Sequence, residues 1–484
     1  GGTVTLYSDS GSSTTGTTVQ NNNNNFSNIT LTGATTMAGW FNNDGTGSTP
    51  VKTMNGNTFS NWTCGTSAVN VLQCNFGGNA NISNNAISNI TGQGAVTAIL
   101  RGSSGTVAQL DIANNVISNV TSTSTGGTVI GVSFTHASTL ANINSNTISL
   151  LSSTGASVTG INSTAGTTVN LFKNNVNNLS SSNTNAVVSG IAVGGGTTVN
   201  VYNNFVSDLR AASSTGLNSV IGLNFSGGTT VNASYNTVYL GSAGSLTGGA
   251  TFGGSGVYVS SSTALNLKNN IVNVKATGVT GYFSALKRST GTALTKPSNV
   301  TATNNIYFVS PEPYIYGEGT TLSTATNVYY NAASGYTGTA DPNFNTACGL
   351  YKVFMAENGT FWEDNLVAGM PTGTFSPSGA SYAESNATGS TTPSISDDFA
   401  GTARSATPDC GALEFSGTLT DAAGPSISYT NIPNPANICA AVTLSATITD
   451  PSMVNTTAGT APRLWYKKQT NTDALPGTND NTTD

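Results

Sequence analysis

One short phrase recurs along the first two thirds of the chain: Asn, any residue, apolar, Ser or Asn, any residue, apolar. It stands as Asn85-Ala86-Ile87-Ser88-Asn89-Ile90 and again as Asn115-Val116-Ile117-Ser118-Asn119-Val120. The same Asn recurs at Asn146, Asn174, Asn204, Asn236, Asn270 and Asn305, with weaker copies at Asn24 and Asn57. The steps between these Asn lie between 28 and 35 residues and average about 31. Four residues before them runs a second column: Asn81, Asp111, Asn142, Asn170, Asn200, Asn232 and Asn266, broken at Thr301. Within a repeat the period is two, as in Val169-Asn170-Leu171-Phe172 and Val199-Asn200-Val201-Tyr202. Strict alternation predicts strands with one buried face. Segments such as Ser189–Val193 and Val206–Leu209 supply two further strands per repeat. Three short strands in about 31 residues, divided by Gly, Ser and Asn, predict one turn of an all-β solenoid, its strands stacked in parallel about 4.8 Å apart.

The variable repeat length favours a right-handed parallel β-helix of about ten coils over residues 1–310. The columns then acquire roles. Asn85, Asn115, Asn146, Asn174, Asn204, Asn236, Asn270 and Asn305 form an inward ladder at a turn, where Asn tolerates left-handed backbone and bonds the amide one coil on. Asn170, Asn200 and Asn232 point outward by alternation, beside the outward pair Phe172 and Tyr202 and the column Thr168, Thr198 and Thr230. Two aromatics in adjacent coils either cover the sheet or offer a stacking platform to a sugar or a neighbouring chain. The Thr column is like an ice-binding array only loosely, since Phe172, Tyr202 and Lys268 interrupt its edge.

These repeats resemble the right-handed parallel β-helices of pectate-lyase-like proteins over roughly residues 20–310. The resemblance implies the fold but not the activity, since lyases, hydrolases, adhesins and tailspikes share it.

After residue 310 the pattern stops. Residues 311–415 read as irregular terminal coils and a cap, 416–423 as a linker, and 424–484 as the beginning of an immunoglobulin-like sandwich, carried by the alternation in Ser426–Tyr429, Ala441–Ile448 and Leu464–Tyr466. The phrase Arg404 with Asp409-Cys410-Gly411-Ala412-Leu413-Glu414 resembles the closing segment of secreted Bacteroidota β-helix proteins, with Cys410 where an apolar residue is usual. In that setting Arg404 pairs with Asp409 or Glu414 to cap the open end. The resemblance further implies a large, cell-surface-attached protein exported by the type IX route.

Charge narrows the function. Only 7% of residues are charged, against a usual value of about 25%. Fourteen Lys and Arg in 484 residues give no patch to neutralise phosphates, so no nucleic-acid partner is expected. No apolar run approaches the roughly 18 residues of a membrane span. The chain opens on Gly1-Gly2 without a signal segment and stops in a polar stretch at Asp484, which reads as a piece of a longer polypeptide. Cys64 with Cys74, and Cys348 with Cys410, are candidate disulfides, with Cys439 left over; the alternative is five small buried side chains.

A catalytic site is not expected. Before Glu312 the only acids are Asp9, Asp44, Asp111 and Asp208, and Asp111 and Asp208 fall on different faces. Asp208 reads as the surface partner of Arg210. His136, the one His, has no acid nearby and reads as an ordinary strand-end residue. No metal or other cofactor is implied. Acids do gather at Glu357, Glu363, Asp364 and Glu384, beside Trp362. The expectation is therefore a structural or adhesive segment that associates with itself, a neighbouring surface protein or a neutral glycan. A carbohydrate-active enzyme working from residues 355–385 is the alternative.

Overall fold

The computed structural model describes residues 1–10, 18–43, 51–102, 109–241, 252–276, 281–289, 299–310 and 379–419, and short strands at 316–318, 328–330, 361–362, 426–429 and 446–449. Gly1–Thr418 forms one unit and Leu419–Asp484 another. Every described element is a strand.

The first unit is a parallel β-helix, as the period-two segments predict. One turn consists of Val188–Val193, Thr198–Tyr202 and Phe205–Arg210. Each strand pairs only with its equivalents one turn away, in parallel and in register, so that Val199 stands between Val169 and Val231. The result is three sheets of 12, 10 and 11 strands, in which the second, ten-stranded sheet spans nine turns. The core is a set of one-residue columns. Ile87, Ile117, Ile148, Val176, Val206, Val238 and Val272 are fully buried in the third sheet. Each such aliphatic contributes on the order of 1.5–3 kcal/mol by leaving water. In the first sheet the column is Gly131, Gly160, Gly190, Gly222 and Gly256. A Cβ on Gly190 would lie 2.3 Å from Val206 Cγ1 and 2.7 Å from the Gly222 carbonyl, so glycine there lets the first and third sheets close on each other.

The inward Asn ladder runs unbroken from Asn24 to Asn305. Each backbone N–H and each Nδ2 donates to the Oδ1 of the Asn one turn later, at 2.8–3.1 Å from Asn57 onward. The second amide hydrogen goes to a carbonyl of the preceding turn, such as Met54 for Asn85 and Leu171 for Asn204. Every lone pair and hydrogen of a rung is thus used, which is the condition for burying an amide cheaply.

The left-handed backbone, however, falls one residue earlier than expected. Asn23, Gly56, Asn84, Asn114, Ser145, Lys173, Asn203, Tyr235, Asn269 and Asn304 all have φ between 54° and 70°. The ladder Asn itself supplies the amide, and the residue before it makes the corner. A second left-handed column follows at Asn28, Asn61, Asn89, Asn119, Leu150, Asn178 and Asp208. Its first four members form an exposed ladder, with Nδ2–Oδ1 distances of 2.7–3.2 Å. Leu150 breaks it at φ 56° while 49% exposed. Left-handed backbone costs an ordinary L-residue roughly 1–2 kcal/mol. Leu150→Asn is therefore expected to raise stability by about 1 kcal/mol, read as a higher midpoint in thermal unfolding.

Where the turns end, Tyr316–Glu318 extends the first sheet and Val328–Tyr330 closes it antiparallel, while Phe361–Trp362 joins the third sheet. The open end is therefore occupied, and residues 381–415 do something other than the expected capping. They lie along the side of the helix as a strap. Asn304 Nδ2 donates to the Asn386 carbonyl, Asn269 Nδ2 and the Tyr235 hydroxyl to that of Thr388, and Asn203 Nδ2 to that of Asp397. Lys173 Nζ pairs with Asp397 at 2.7 Å. The strap then returns, with Gly411 N donating to the Asn269 carbonyl and Cys410 Sγ 3.1 Å from that of Asn304. Its reason is apolar. The outward third-sheet column is 50% exposed at Val116 but 0% at Phe205, 2% at Ile271 and 0% at Ile306, where Phe399, Cys410, Ala412 and Leu413 pack. The side chains that grip it are those of the left-handed column, which point out of the corner.

Cys64 and Cys74 form no disulfide; both are buried thiols. The strand Val69–Cys74 separates them. At roughly 3.3 Å per residue it carries Cys74 well beyond the ~7 Å Cα separation a bridge allows. Burial pushes the Cys64 thiol up to about 11. Cys348 lies outside the described residues. In the second unit Ser426–Tyr429 and Ala446–Thr449 pair antiparallel, Ile427 opposite Ile448; Leu464–Tyr466 falls outside the described residues.

Candidate functional site

Alternation turns one side chain in two of the second sheet outward, and this face carries the outward Asn column. The column is itself a ladder. Nδ2 of Asn142, Asn170, Asn200, Asn232 and Asn266 each donates to the side-chain oxygen one turn earlier, at 2.8–2.9 Å, down to Asp111 Oδ1. Asn170 is partly exposed, but Asn200 and Asn232 keep only 5% and 4% exposure. Those two amides face outward as expected, but they serve the ladder and leave little surface for the binding contact expected of them. Alternation gives a side chain's direction and says nothing of its neighbours' bulk.

Phe172 and Tyr202 stack with centroids 4.8 Å apart and planes 2° from parallel. That is one turn's rise, enforced by the register Phe172↔Tyr202. Both are partly exposed at the edge of the face. Tyr202 is pushed up to about 12 by burial and by Asp397, so its phenol stays a neutral donor. At the N-terminal end of the face, a groove of about 210 Å³ is lined by Val51, Asn79, Ala80, Asn81, Gln109 and Asp111.

The strap holds its own charged frame. Arg404 pairs with Glu414 at 2.7 Å, donates to Asn203 Oδ1 and to the Asp409 and Gly411 carbonyls, and lies 3.6 Å above the Tyr235 ring. The Asp409 carboxylate takes the N–H groups of Ser385 and Phe415, not Arg404. Burial pushes Asp409 up to about 6, against the two N–H bonds that favour its charge. The docked strap therefore binds a proton, as pH falls through about 6 toward 4, more tightly than a released one. Docking strengthens on that descent and is weakest above it. Hydrogen-exchange protection of residues 381–415, corrected for intrinsic rate, is expected to be higher at about pH 5 than at about pH 7.5.

Several buried polar groups stand where sequence reading placed none. Lys52 is fully buried, 2.8 Å from Asp9 and 4.7 Å from the Phe76 ring centroid. Arg101 is likewise buried and donates to the carbonyls of Cys74, Phe76 and Gly102. The alternation Val51-Lys52-Thr53-Met54 was the available signal, since it turns Lys52 inward with Met54. Lys287 donates to the Leu217 carbonyl at 3.0 Å, and burial pushes it down to about 7. His136 is buried beside Ser138, 3.1 Å from its hydroxyl. Asp208 does meet Arg210, at 3.4 Å, but it is buried and not a surface residue.

Among the described residues no three His, Cys, Asp or Glu side chains gather as a metal site, and no helix is long and apolar enough to cross a membrane. Of the expected acid cluster only Glu384 is described, its Oε1 accepting from Ser385; Glu357, Glu363 and Asp364 lie outside the described residues. No family model, curated protein or solved structure matches the chain. Its class therefore rests on its own geometry: it is a parallel β-helix repeat protein.

Proposed function

We propose that this chain is a non-enzymatic structural and adhesive segment of an extracellular surface protein or filament. The observation that carries the reading is the outward face of the second sheet: the in-register Phe172/Tyr202 stack, flanked by the partly exposed amide rungs Asn142, Asn170 and Asn266. Such a face suits a neutral glycan or a second copy of the chain, because it offers hydrogen bonds and ring stacking with little charge. A surface poor in Lys and Glu also lacks the usual defence against association. Contacts of this kind do not fade over the Debye length of about 8 Å at physiological salt.

Sedimentation and glycan-array binding at about 0.05 and 0.5 M NaCl test the reading. Association or glycan binding unchanged between the two, and reduced by Tyr202→Ala, is expected. A chain that is monomeric and non-binding at both, or whose binding salt abolishes, overturns it. Turnover of uronate polymers that needs Ca²⁺ and is lost in Glu363→Gln would instead establish the enzyme.

A further inference from the structure

The outward ladder of the second sheet follows one rule. From Asn266 down to Asn142, each amide gives a hydrogen to the preceding rung, and from Asn232 down each also accepts one from the following rung. Rung 111 breaks the rule. Asp111 accepts at Oδ1 from Asn142 Nδ2 and at Oδ2 from Gln109 Nε2, at 2.8 and 3.1 Å. A carboxylate has no hydrogen to pass on. Asn81, its register partner one turn earlier, accordingly holds a buried Oδ1 that has no partner. A buried acceptor left so is destabilising, and Asp111→Asn would relieve it. The mismatch sits in the wall of the 210 Å³ groove, beside Val51, which is 41% exposed. Asn79 Oδ1 already accepts the Gln109 N–H and fixes that wall.

We propose that this groove is a subsite for one neutral sugar residue of a glycan, an inference that rests on the glycan arm of the function proposed above. What the wall lacks is a hydrogen, and a sugar hydroxyl supplies one to Asn81 Oδ1 and Asp111. The aliphatic surface of Val51 and Ala80 suits the C–H face of a pyranose. The charge selects against uronates. Among the described residues that line the groove, Asp111 is the only charged one. The nearest basic residue in sequence, Lys52, is turned inward to Asp9. A second carboxylate would enter without a counter-charge. The Phe172 and Tyr202 rungs lie two and three turns further along the same face, about 10 and 14 Å away, so one glycan chain spans the groove and the stack.

Titration calorimetry of cellohexaose, laminarihexaose, mannohexaose and an oligogalacturonate against wild type, Asp111→Asn and Tyr202→Ala tests this. At least one neutral hexaose is expected to bind the wild type, and the galacturonate is not. Asp111→Asn should weaken binding at least tenfold, about 1.4 kcal/mol, while its melting temperature stays equal or rises, because the ladder is completed. Binding of the galacturonate as tight as any neutral hexaose overturns the subsite. So does an Asp111→Asn variant that binds like wild type; if Tyr202→Ala then abolishes binding, the adhesive face stands and only the groove falls. Salt-resistant self-association with no sugar bound likewise keeps the proposed function and removes the subsite.

Discussion

Asn204→Leu is expected to lower the unfolding free energy of the β-helix by about 4–6 kcal/mol. Asn204 Oδ1 accepts both the N–H and the Nδ2 of Asn174, at 2.9 and 3.0 Å. Its Nδ2 donates to Asn236 Oδ1 at 2.9 Å and the Leu171 carbonyl at 2.8 Å. Leucine fits the volume but takes a buried partner from three groups, the Asn174 N–H, the Asn174 Nδ2 and the Leu171 carbonyl, each costing roughly 1–3 kcal/mol before relaxation, while Asn236 Oδ1 keeps the N–H of residue 204. The loss sits at one interface between turns, so in a repeat protein unfolding should also lose cooperativity there. Asn119→Leu is the control: its amide bonds Asn89 on the exposed ladder, and its expected cost is the roughly 1–2 kcal/mol of placing an ordinary side chain on left-handed backbone. Denaturant unfolding of both variants decides the matter. An Asn204→Leu protein within about 1 kcal/mol of wild type would refute a stabilising ladder.

The second large effect concerns the strap. Arg404→Met should release residues 381–415 from the side of the helix. The Arg404 side chain is 2% exposed and its partner Glu414 12%. Removing one member of a buried ion pair leaves the other charged and unpaired, at a cost of about 3–5 kcal/mol. The methionine keeps part of the packing on Tyr235 but none of the bonds to Glu414, Asn203 and the Gly411 carbonyl. Release uncovers Phe205, Tyr239, Ile271 and Ile306. Limited proteolysis within 381–415 should accelerate and binding of a hydrophobic dye should rise, while the far-ultraviolet signal of the helix persists. Unchanged proteolysis would show that the strap is held mainly by its apolar contacts.

The turns were readable because a solenoid writes its long-range contacts as a short period. Asn85 and Asn115 are remote in sequence, yet they occupy the same place in the same phrase, and register followed from type. The misplaced corner has a local cause. Doublets such as Asn84-Asn85, Asn203-Asn204 and Asn269-Asn270 hide which member takes the left-handed backbone. Only Gly56-Asn57, Ser145-Asn146, Lys173-Asn174 and Tyr235-Asn236 separate the two roles. The strap was not readable as a strap, because no period links Asp397 to Lys173 or Thr388 to Asn269. The Arg404–Glu414 pair was visible as a motif, but nothing in it says whether it closes an end or grips a side. The groove was half visible: Asp111 stood out as the one acid in an Asn column, and what that does to Asn81 required the direction in which each amide points.

The strap also changes how the molecule would bear tension. A bare stack of turns pulled from its last residue opens like a zipper, one turn at a time, because each turn is held only by its neighbour. Here the segment that precedes Phe415 is fixed to Asn304, Asn269, Tyr235, Asn203 and Lys173, one residue from each of five successive turns. A pull on the chain at Phe415 is delivered along those turns in shear, so that many bonds must yield together before any one turn unwinds.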